Sequence, residues 1–457
     1  MKEIHSSDFF NETYLREYFR RKILRKKGGG RDNLTPERFL EKFGSDFNTI
    51  SQKCLDGNYH FSYYKEKLIV KSSKKRPRVL SIPTVRDRLV LGVLNDYLST
   101  VFSDCVNHEI PNRLIYQVDH YINSQSQNKI TFLRTDFSDF YGSLQIKLLM
   151  NMISSRVEDH AIKTLIYKAI TTPTIAENSP KKNIRAAKQG IPQGLSISNI
   201  LASIYMLSFD KEFGQAQAGL YIRYVDDILF LDVKCPSLMH RMLTEIKKRN
   251  LHLRLSIEKC KSGTIGSDTL DFIGYEISKK IFVRKKNVTR FLNRVAALVS
   301  KCKEGLDHTY RRPMFIKEID SYKGYYVEEL NLLISGFKYS NRLYGWLPYF
   351  QAINDVSSLY GMDYVIQHHL LKDLPDEITS KVKSLVDTYY DIRRHGGSNL
   401  VEDYDSLTSV DQRKSFLKRK GRIDMDKSYT DEQINNYFES YMDYISNVSE
   451  QNIGFIS

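Results

Sequence analysis

Hydrophobic positions along the chain change period from segment to segment, and each change predicts an element. In residues 14–27 (YLREYFRRKILRKK), Tyr14, Leu15, Tyr18, Phe19 and Ile23 recur at helical spacing. Arg16, Arg20, Arg21, Lys22, Arg25, Lys26 and Lys27 fill the other positions, which makes a basic amphipathic helix suited to a phosphate backbone or to a membrane surface. Gly28-Gly29-Gly30 ends it. Thr35-Pro36-Glu37 starts the next helix, with Thr35 as N-cap, Pro36 in the first turn and Glu37 near the positive end. Residues 65–88 read as a strand, a basic turn around Lys71, Lys74, Lys75, Arg76 and Arg78, and a second strand. Residues 132–144 read as a strand running into a helix, and 195–206 as an apolar helix. Residues 220–231 (LYIRYVDDILFL) are apolar strands on either side of Asp226-Asp227, the pattern of a hairpin. Beyond 285 the period turns helical, with Val288, Phe291, Leu292, Val295, Leu298, Val299 and Cys302 on one face. Residues 321–350 are aromatic-rich and contain Trp346, and 375–457 read as polar, charge-mixed helices. His395-Gly396-Gly397 reads as a helix end.

Composition narrows the class. The chain has 457 residues, 41% hydrophobic and 27% charged, which excludes a wholly disordered chain and suggests about three domains. No apolar run reaches the length of a membrane span, and MKEIHSSDFF lacks the pattern of a secretory signal, so no membrane association and a cytoplasmic location are expected. Cys54, Cys105, Cys235, Cys260 and Cys302 form no CxxC pair, which fits a reducing compartment and argues against a zinc ribbon. The formal net charge of +15, with 30 Tyr and 23 Phe, suits a phosphate-rich polyanion and bases to stack on; its bland alternative is a solvated basic surface.

The acidic exceptions carry the chemistry. Asp136 ends an apolar strand in FLRTDFSDFYGSL, and Asp226 and Asp227 sit at a hairpin tip. Carboxylates in apolar surroundings repel one another and lose hydration, so they need compensating charge. Mg²⁺ ions would supply it, and two of them suit nucleotidyl transfer. Against this stands the ordinary role of Asp in turns. In QGIPQGLSISNILASIYM, Gly190 and Gly194 would let backbone approach a nucleotide closely, and Gln193 could hydrogen-bond near it.

Together these segments resemble reverse transcriptases of the bacterial retron and group II intron type. TDFSDFYGSL is similar to their first catalytic palm motif, QGIPQGLSISNILA to the second and YVDD to the third. SIEKCKSG resembles the fourth motif, LDFIGY the fifth, and RVLSIPTVRDR a fingers motif, in matching order over roughly residues 30–300. The resemblance implies an α+β right-hand polymerase with an antiparallel palm sheet and a mostly helical C-terminal region. It places a basic helix and fingers at 1–125, a palm at 126–280 with a fingers insertion at about 145–188, a thumb at 281–350, and a C-terminal region at 351–457.

It also implies roles. Asp136, Asp226 and Asp227, helped by the Phe137 carbonyl, would hold two Mg²⁺ ions, with Mn²⁺ as a substitute. Lys75 or Arg76, and Arg78, would contact the triphosphate, with Asp139, Phe140, Tyr141, Gln193 and Gly194 around the nucleotide. Lys259 would lie near the leaving pyrophosphate as a proton donor. Tyr141 would lie under the sugar, where a ring excludes a 2′-hydroxyl and selects deoxynucleotides; Phe140 competes for that role. Arg20, Arg21, Arg25, Lys26, Gly274, Tyr275, Arg290 and Arg294 would follow the nucleic acid. Bland readings stand beside these: Arg78 as a solvated strand residue, Lys259 as an exposed lysine, either ring as core.

The block from GGGRDNLTPERF through YHFSYYKEKLIVKSSKKRPRVLSIPTVRDRLVL, and the stretch SGFKYSNRLYGWLPYFQAINDV, resemble the defence-associated and abortive-infection reverse transcriptases of bacteria. That likeness implies a structured noncoding RNA as template, deoxynucleotide substrates, a DNA product serving anti-phage defence, and a homo-oligomer or accessory protein. Priming by RNA, DNA or a tyrosine hydroxyl stays open, as do template-independent addition and a nucleic-acid-binding protein with a silent polymerase fold.

Overall fold

The computed structural model describes residues 4–24, 28–44, 46–70, 77–106, 110–125, 129–179, 189–214, 219–232, 238–316 and 318–454. Arg25, Lys26, Lys75 and Arg76 lie outside the described residues, as does all but the last residue of the polar stretch 181–189. The chain forms two compact units, residues 1–108 with 133–261, and residues 109–132 with 262–457. This division cuts across the expected boundaries: residues 262–280 join the later unit, which also takes the expected thumb and C-terminal region together.

In the first unit, β1 (Tyr64–Ile69) and β2 (Arg78–Ile82) pair antiparallel, with Lys65 opposite Ile82 and Ile69 opposite Arg78. β3 (Thr131–Asp136), which belongs to this unit from Leu133 on, follows, and then β4 (Thr174–Ile175), which joins β1 in parallel from within the expected fingers insertion. The second strand is shorter than its sequence pattern suggests. Thr84 caps a helix over Val85–Val101 by accepting from Asp87 N, so the residues after Pro83 turn helical. β5 (Gly219–Tyr224) and β6 (Asp227–Asp232) form the expected hairpin, and β3 lies on the other side of β6. Ser198–Gly214 is a helix whose apolar residues face all round, as a buried helix requires. Its Phe209 and Phe213 pack on Tyr221, and Phe213 packs on Phe230, which fixes this helix behind the hairpin.

The basic N-terminal helix is regular over Glu12–Tyr18 and then widens into a π turn over Phe19–Ile23. Its apolar stripe is core: Leu15, Phe19 and Ile23 are buried, and Phe19 packs on Phe39 and Phe47. Thr35 caps the next helix, Pro36–Phe43, as expected.

The second unit holds a three-stranded antiparallel sheet (Leu270–Phe272, Tyr275–Ile277, Ile281–Val283) and long helices over Lys285–Asp307 and Ile319–Ser335. The expected helical run is broken by a hairpin, Phe337–Tyr339 with Arg342–Tyr344. Ser340 and Asn341 turn it with φ of 51° and 57°, so the alternating FKYSNRLY was a hairpin signal rather than a helical one. Helices Val410–Arg419 and Asp431–Gly454 pack around Phe416, Phe438 and Met442. Gly396, with φ 64°, ends the helix Leu385–His395 as expected.

Lys420 fastens the C-terminal helices to the long helix before the hairpin. It is buried, with Nζ 3.0 Å from Glu328 and 2.8 Å from Glu329, and its ammonium faces the Tyr325 ring. Burial alone would lower its pKa, but the glutamates reverse that and raise it. Lys420→Ala leaves Glu329 without its cation and Glu328 with only Arg419, 3.5 Å away; we expect a loss of about 3 kcal/mol, read as a lower urea midpoint for the second unit. An unchanged midpoint would show that the pair contributes nothing net.

Candidate active site

The hairpin tip brings Asp226 beside the end of β3. Phe137 N donates to Asp226 O at 3.3 Å. On the other side, Ser138 N donates to Arg254 O and Ser256 N to Asp136 O, both at 2.8 Å. Ladder bonds from the residues flanking Phe137 direct its own N–H and carbonyl toward the hairpin. Asp136, the Phe137 backbone and Asp226 are thus held by three pieces of backbone.

Asp136 is only 4% exposed, and its Oδ1 has no hydrogen-bond partner among the described residues. Its Oδ2 accepts from Lys259 Nζ. Burial pushes the Asp226 carboxyl above its ordinary range, and Asp136 pushes it further, while Arg78 and Lys259 pull the other way. Asp227 starts β6, is buried, and pairs with Arg134 at 2.7 Å. Burial holds its pKa up, partly offset by Arg134.

Among the described residues, no group of three or more His, Cys, Asp or Glu side chains is placed to hold a metal together. What the tip offers is two carboxylates, Asp136 and Asp226, and the Phe137 carbonyl. These are hard oxygen donors, one an orphan, and burial and Asp136 together hold the Asp226 carboxyl above its ordinary range. They fit a hard divalent cation. Asp227 faces Arg134 instead.

The hairpin tip is held from behind. Arg223 is almost fully enclosed and grips Asp210 through two bonds, Nη2 to Oδ2 at 2.5 Å and Nε to Oδ1 at 2.8 Å. Tyr221 donates its hydroxyl to the same carboxylate at 2.7 Å. The remaining Arg223 donor, Nη1, reaches Val225 O at 2.8 Å. Val225 has φ 59°, a left-handed conformation that a β-branched residue adopts only under constraint. Neither Arg134 nor this network was singled out from sequence. The signal was present: Arg134 and Arg223 each interrupt an apolar strand, and a cation there demands a partner.

The glycine-rich second motif frames the same space. Ser81 N donates to Gln193 O at 2.7 Å, Ile191 N to Tyr141 O at 2.9 Å, and Gly190 N to Leu144 O at 2.9 Å. Gly190 has φ 79°, and a Cβ there would lie 2.9 Å from Gly142 Cα, so only glycine fits. Gly194 is exposed beside Ser81, with φ 96°. Tyr141 and Phe140 separate cleanly. Phe140 is buried and stacked on Phe137, a core role. Tyr141 is half-buried, donates its hydroxyl to Asn199 at 2.6 Å, and feels the charges of Asp226 and Arg78. Burial pushes its phenol up to about 12, so it stays protonated at neutral pH. Exposed Asp139, with φ 45°, precedes the short helix Phe140–Ser143, and Arg78 is exposed at the start of β2.

The remaining expected residues lie elsewhere. Arg20 is exposed, and Arg21 is exposed and paired with Glu17. In the second unit, Gly274 takes the turn of the three-stranded sheet with φ 85°. Tyr275 is 0% exposed and donates its hydroxyl to Tyr349 O, so its side chain is core and not a nucleic-acid contact as expected. Arg290 is exposed and Arg294 half-buried, one turn apart on the same helix.

Residues 69–277 match the family described as reverse transcriptase (RNA-dependent DNA polymerase). This stretch, which contains the whole carboxylate site, is a reverse transcriptase domain by that match. Over 166 residues the chain is 26% identical to the group II intron-encoded protein LtrA of Lactococcus lactis subsp. cremoris, covering 35% of this chain and 27% of that protein. The chain therefore spans about a quarter of LtrA's length. It is 23% identical over 295 residues to protein YkfC of Escherichia coli (strain K12), covering 55% of this chain and 76% of that one. Among solved structures, apo telomerase from Candida Tropicalis aligns at 12% identity and a TM-score of 0.43, over 83% of this chain and 69% of that one. No helix among the described residues is long and apolar enough to cross a membrane.

Proposed function

We propose that this chain is an RNA-directed DNA polymerase that extends a primer by metal-dependent nucleotidyl transfer at Asp136 and Asp226. One observation carries the reading: a buried carboxylate with an unpartnered oxygen, Asp136, and a half-buried one, Asp226, lie close enough to repel each other in a reverse transcriptase domain. Divalent cations, when bound, activate the attacking 3′-hydroxyl and offset charge on the leaving pyrophosphate.

The chain's own residues do the rest. Asp136, Asp226 and the Phe137 carbonyl supply the oxygen donors. Asp227, through Arg134, and Val225, through Arg223, fix the tip that presents Asp226. Lys259 keeps Asp136 neutralised, and once released from it is a cation and proton donor for the pyrophosphate. Arg78 adds positive charge for the triphosphate. Tyr141 supplies the ring beneath the sugar, braced by Asn199.

Replacing that ring should relax sugar choice. Tyr141→Ala is expected to raise ribonucleotide use relative to deoxynucleotide use by roughly ten- to a hundredfold, read as the ratio of kcat/KM values. Unchanged discrimination would return Tyr141 to plain packing.

We propose further that the template is a structured noncoding RNA and that the DNA product serves anti-phage defence. The two stretches resembling defence-associated enzymes support this. Sequencing the RNA and DNA that copurify with the chain tests it. A recurring RNA with complementary DNA is expected; DNA complementary to no bound RNA would oppose it.

A further inference from the structure

The segment SNRLYGWLPY has no task in the polymerase reading. It lines a cavity of about 320 Å³ built wholly within the second unit. The opposite wall is the first turn of the helix Pro111–Ser124, with Asn112 and Arg113. Arg342, Tyr344 and Tyr349 complete the polar and aromatic lining, and no carboxylate side chain lines it among the described residues. Arg113 and Arg342 bring two guanidinium groups to its lining. The amino end of a 14-residue helix adds to it, since Ile110 at the N-cap offers no side-chain acceptor to the first N–H groups.

Asn112 is an independent sign of a ligand. It is only 4% exposed. Its Nδ2 donates to Pro348 O at 3.4 Å, while its Oδ1 has no hydrogen-bond partner among the described residues. An enclosed acceptor without a donor is costly, and a ligand N–H or O–H would satisfy it. The Arg342 guanidinium lies 5.4 Å from the Tyr344 ring centroid, so a planar cation and an aromatic face are presented together.

We propose that this cavity binds a 5′-phosphorylated nucleotide. The phosphate lies on Arg113, Arg342 and the helix end. The base lies against a tyrosine ring, and a base N–H or sugar O–H donates to Asn112 Oδ1. The nucleotide is either free or the 5′ end of an RNA strand. The site does not depend on polymerase activity.

The test is isothermal titration of the full chain with AMP in EDTA, which suppresses metal-dependent binding at the carboxylates. Titrations with one short single-stranded RNA, carrying a 5′-phosphate or a 5′-hydroxyl, run in parallel. AMP is expected to bind saturably and adenosine about tenfold more weakly. Arg113→Gln/Arg342→Gln is expected to weaken AMP about tenfold or more in protein that still unfolds cooperatively. Asn112→Leu removes the acceptor; if it lowers Tm, the arginine pair carries the test. A preference for the 5′-phosphorylated RNA that the arginine variant loses marks the strand end as the ligand. AMP binding lost in that variant without such a preference marks the free nucleotide. If wild type and the arginine variant are alike toward AMP and toward both RNAs, the site does not exist.

Discussion

Asp226→Asn should abolish deoxynucleotide incorporation, by roughly three orders of magnitude or more, without weakening the fold. The two effects have one cause. Asp226 is held beside Asp136 in an enclosed site, and burial and that neighbour raise its pKa. A carboxyl whose folded pKa is raised costs stability once it ionises: the unfolded chain loses its proton first, so stability falls as pH rises from the ordinary Asp value of about 3.9 through the folded value. The cost grows as pH rises above the ordinary value. Asparagine resembles the protonated form and does not ionise. In EDTA at neutral pH the variant's Tm should therefore equal or exceed that of wild type, and the difference should shrink as pH falls toward the ordinary carboxylate pKa. A clear drop in Tm would mean that Asp226 is supporting the fold, contrary to the repulsion inferred here.

The second large effect lies behind the hairpin. Asp210→Leu strands Arg223 in an enclosed position and should cost about 3 kcal/mol of stability. It should also lower extension by roughly a hundredfold per folded molecule, because Arg223 holds the Val225 carbonyl. Val225 sits in a left-handed conformation, which costs about 1–3 kcal/mol and persists only while its surroundings enforce it. Once Arg223 shifts, the tip relaxes and Asp226 moves away from Asp136. Arg223→Lys keeps the charge but loses the planar fork, so it should recover part of the stability and little of the rate. Denaturant midpoints together with rates normalised to folded protein check both variants. A normal rate per folded molecule would make Asp210 and Arg223 structural only.

Much of this site was legible in the chain because its signals are local. The apolar strands around Asp226-Asp227 fold back on each other whatever surrounds them, and Gly190 marks a place where backbone meets backbone. Tertiary facts were less visible. Periodicity could not say which of Phe140 and Tyr141 is core, since they are adjacent at the start of one short helix; the stacking of Phe140 on Phe137 decides it. Nor could spacing show that Tyr275 is enclosed, or that Asp227 faces Arg134 across the sheet. The hairpin at 337–344 is hard to see in the sequence because its aromatic residues fit either period; the Ser340-Asn341 turn sets it. Lys420 was unremarkable in a charge-mixed stretch until its partners, about ninety residues earlier, were placed beside it.

The most direct test is single-turnover extension of a DNA primer annealed to an RNA template, with labelled deoxynucleotides and Mg²⁺, comparing wild type with Asp136→Asn and Asp226→Asn. Wild type should extend the primer, EDTA should stop it, and both variants should be silent while remaining folded. Equal incorporation by wild type and the variants would contradict the assignment of these carboxylates as the catalytic centre.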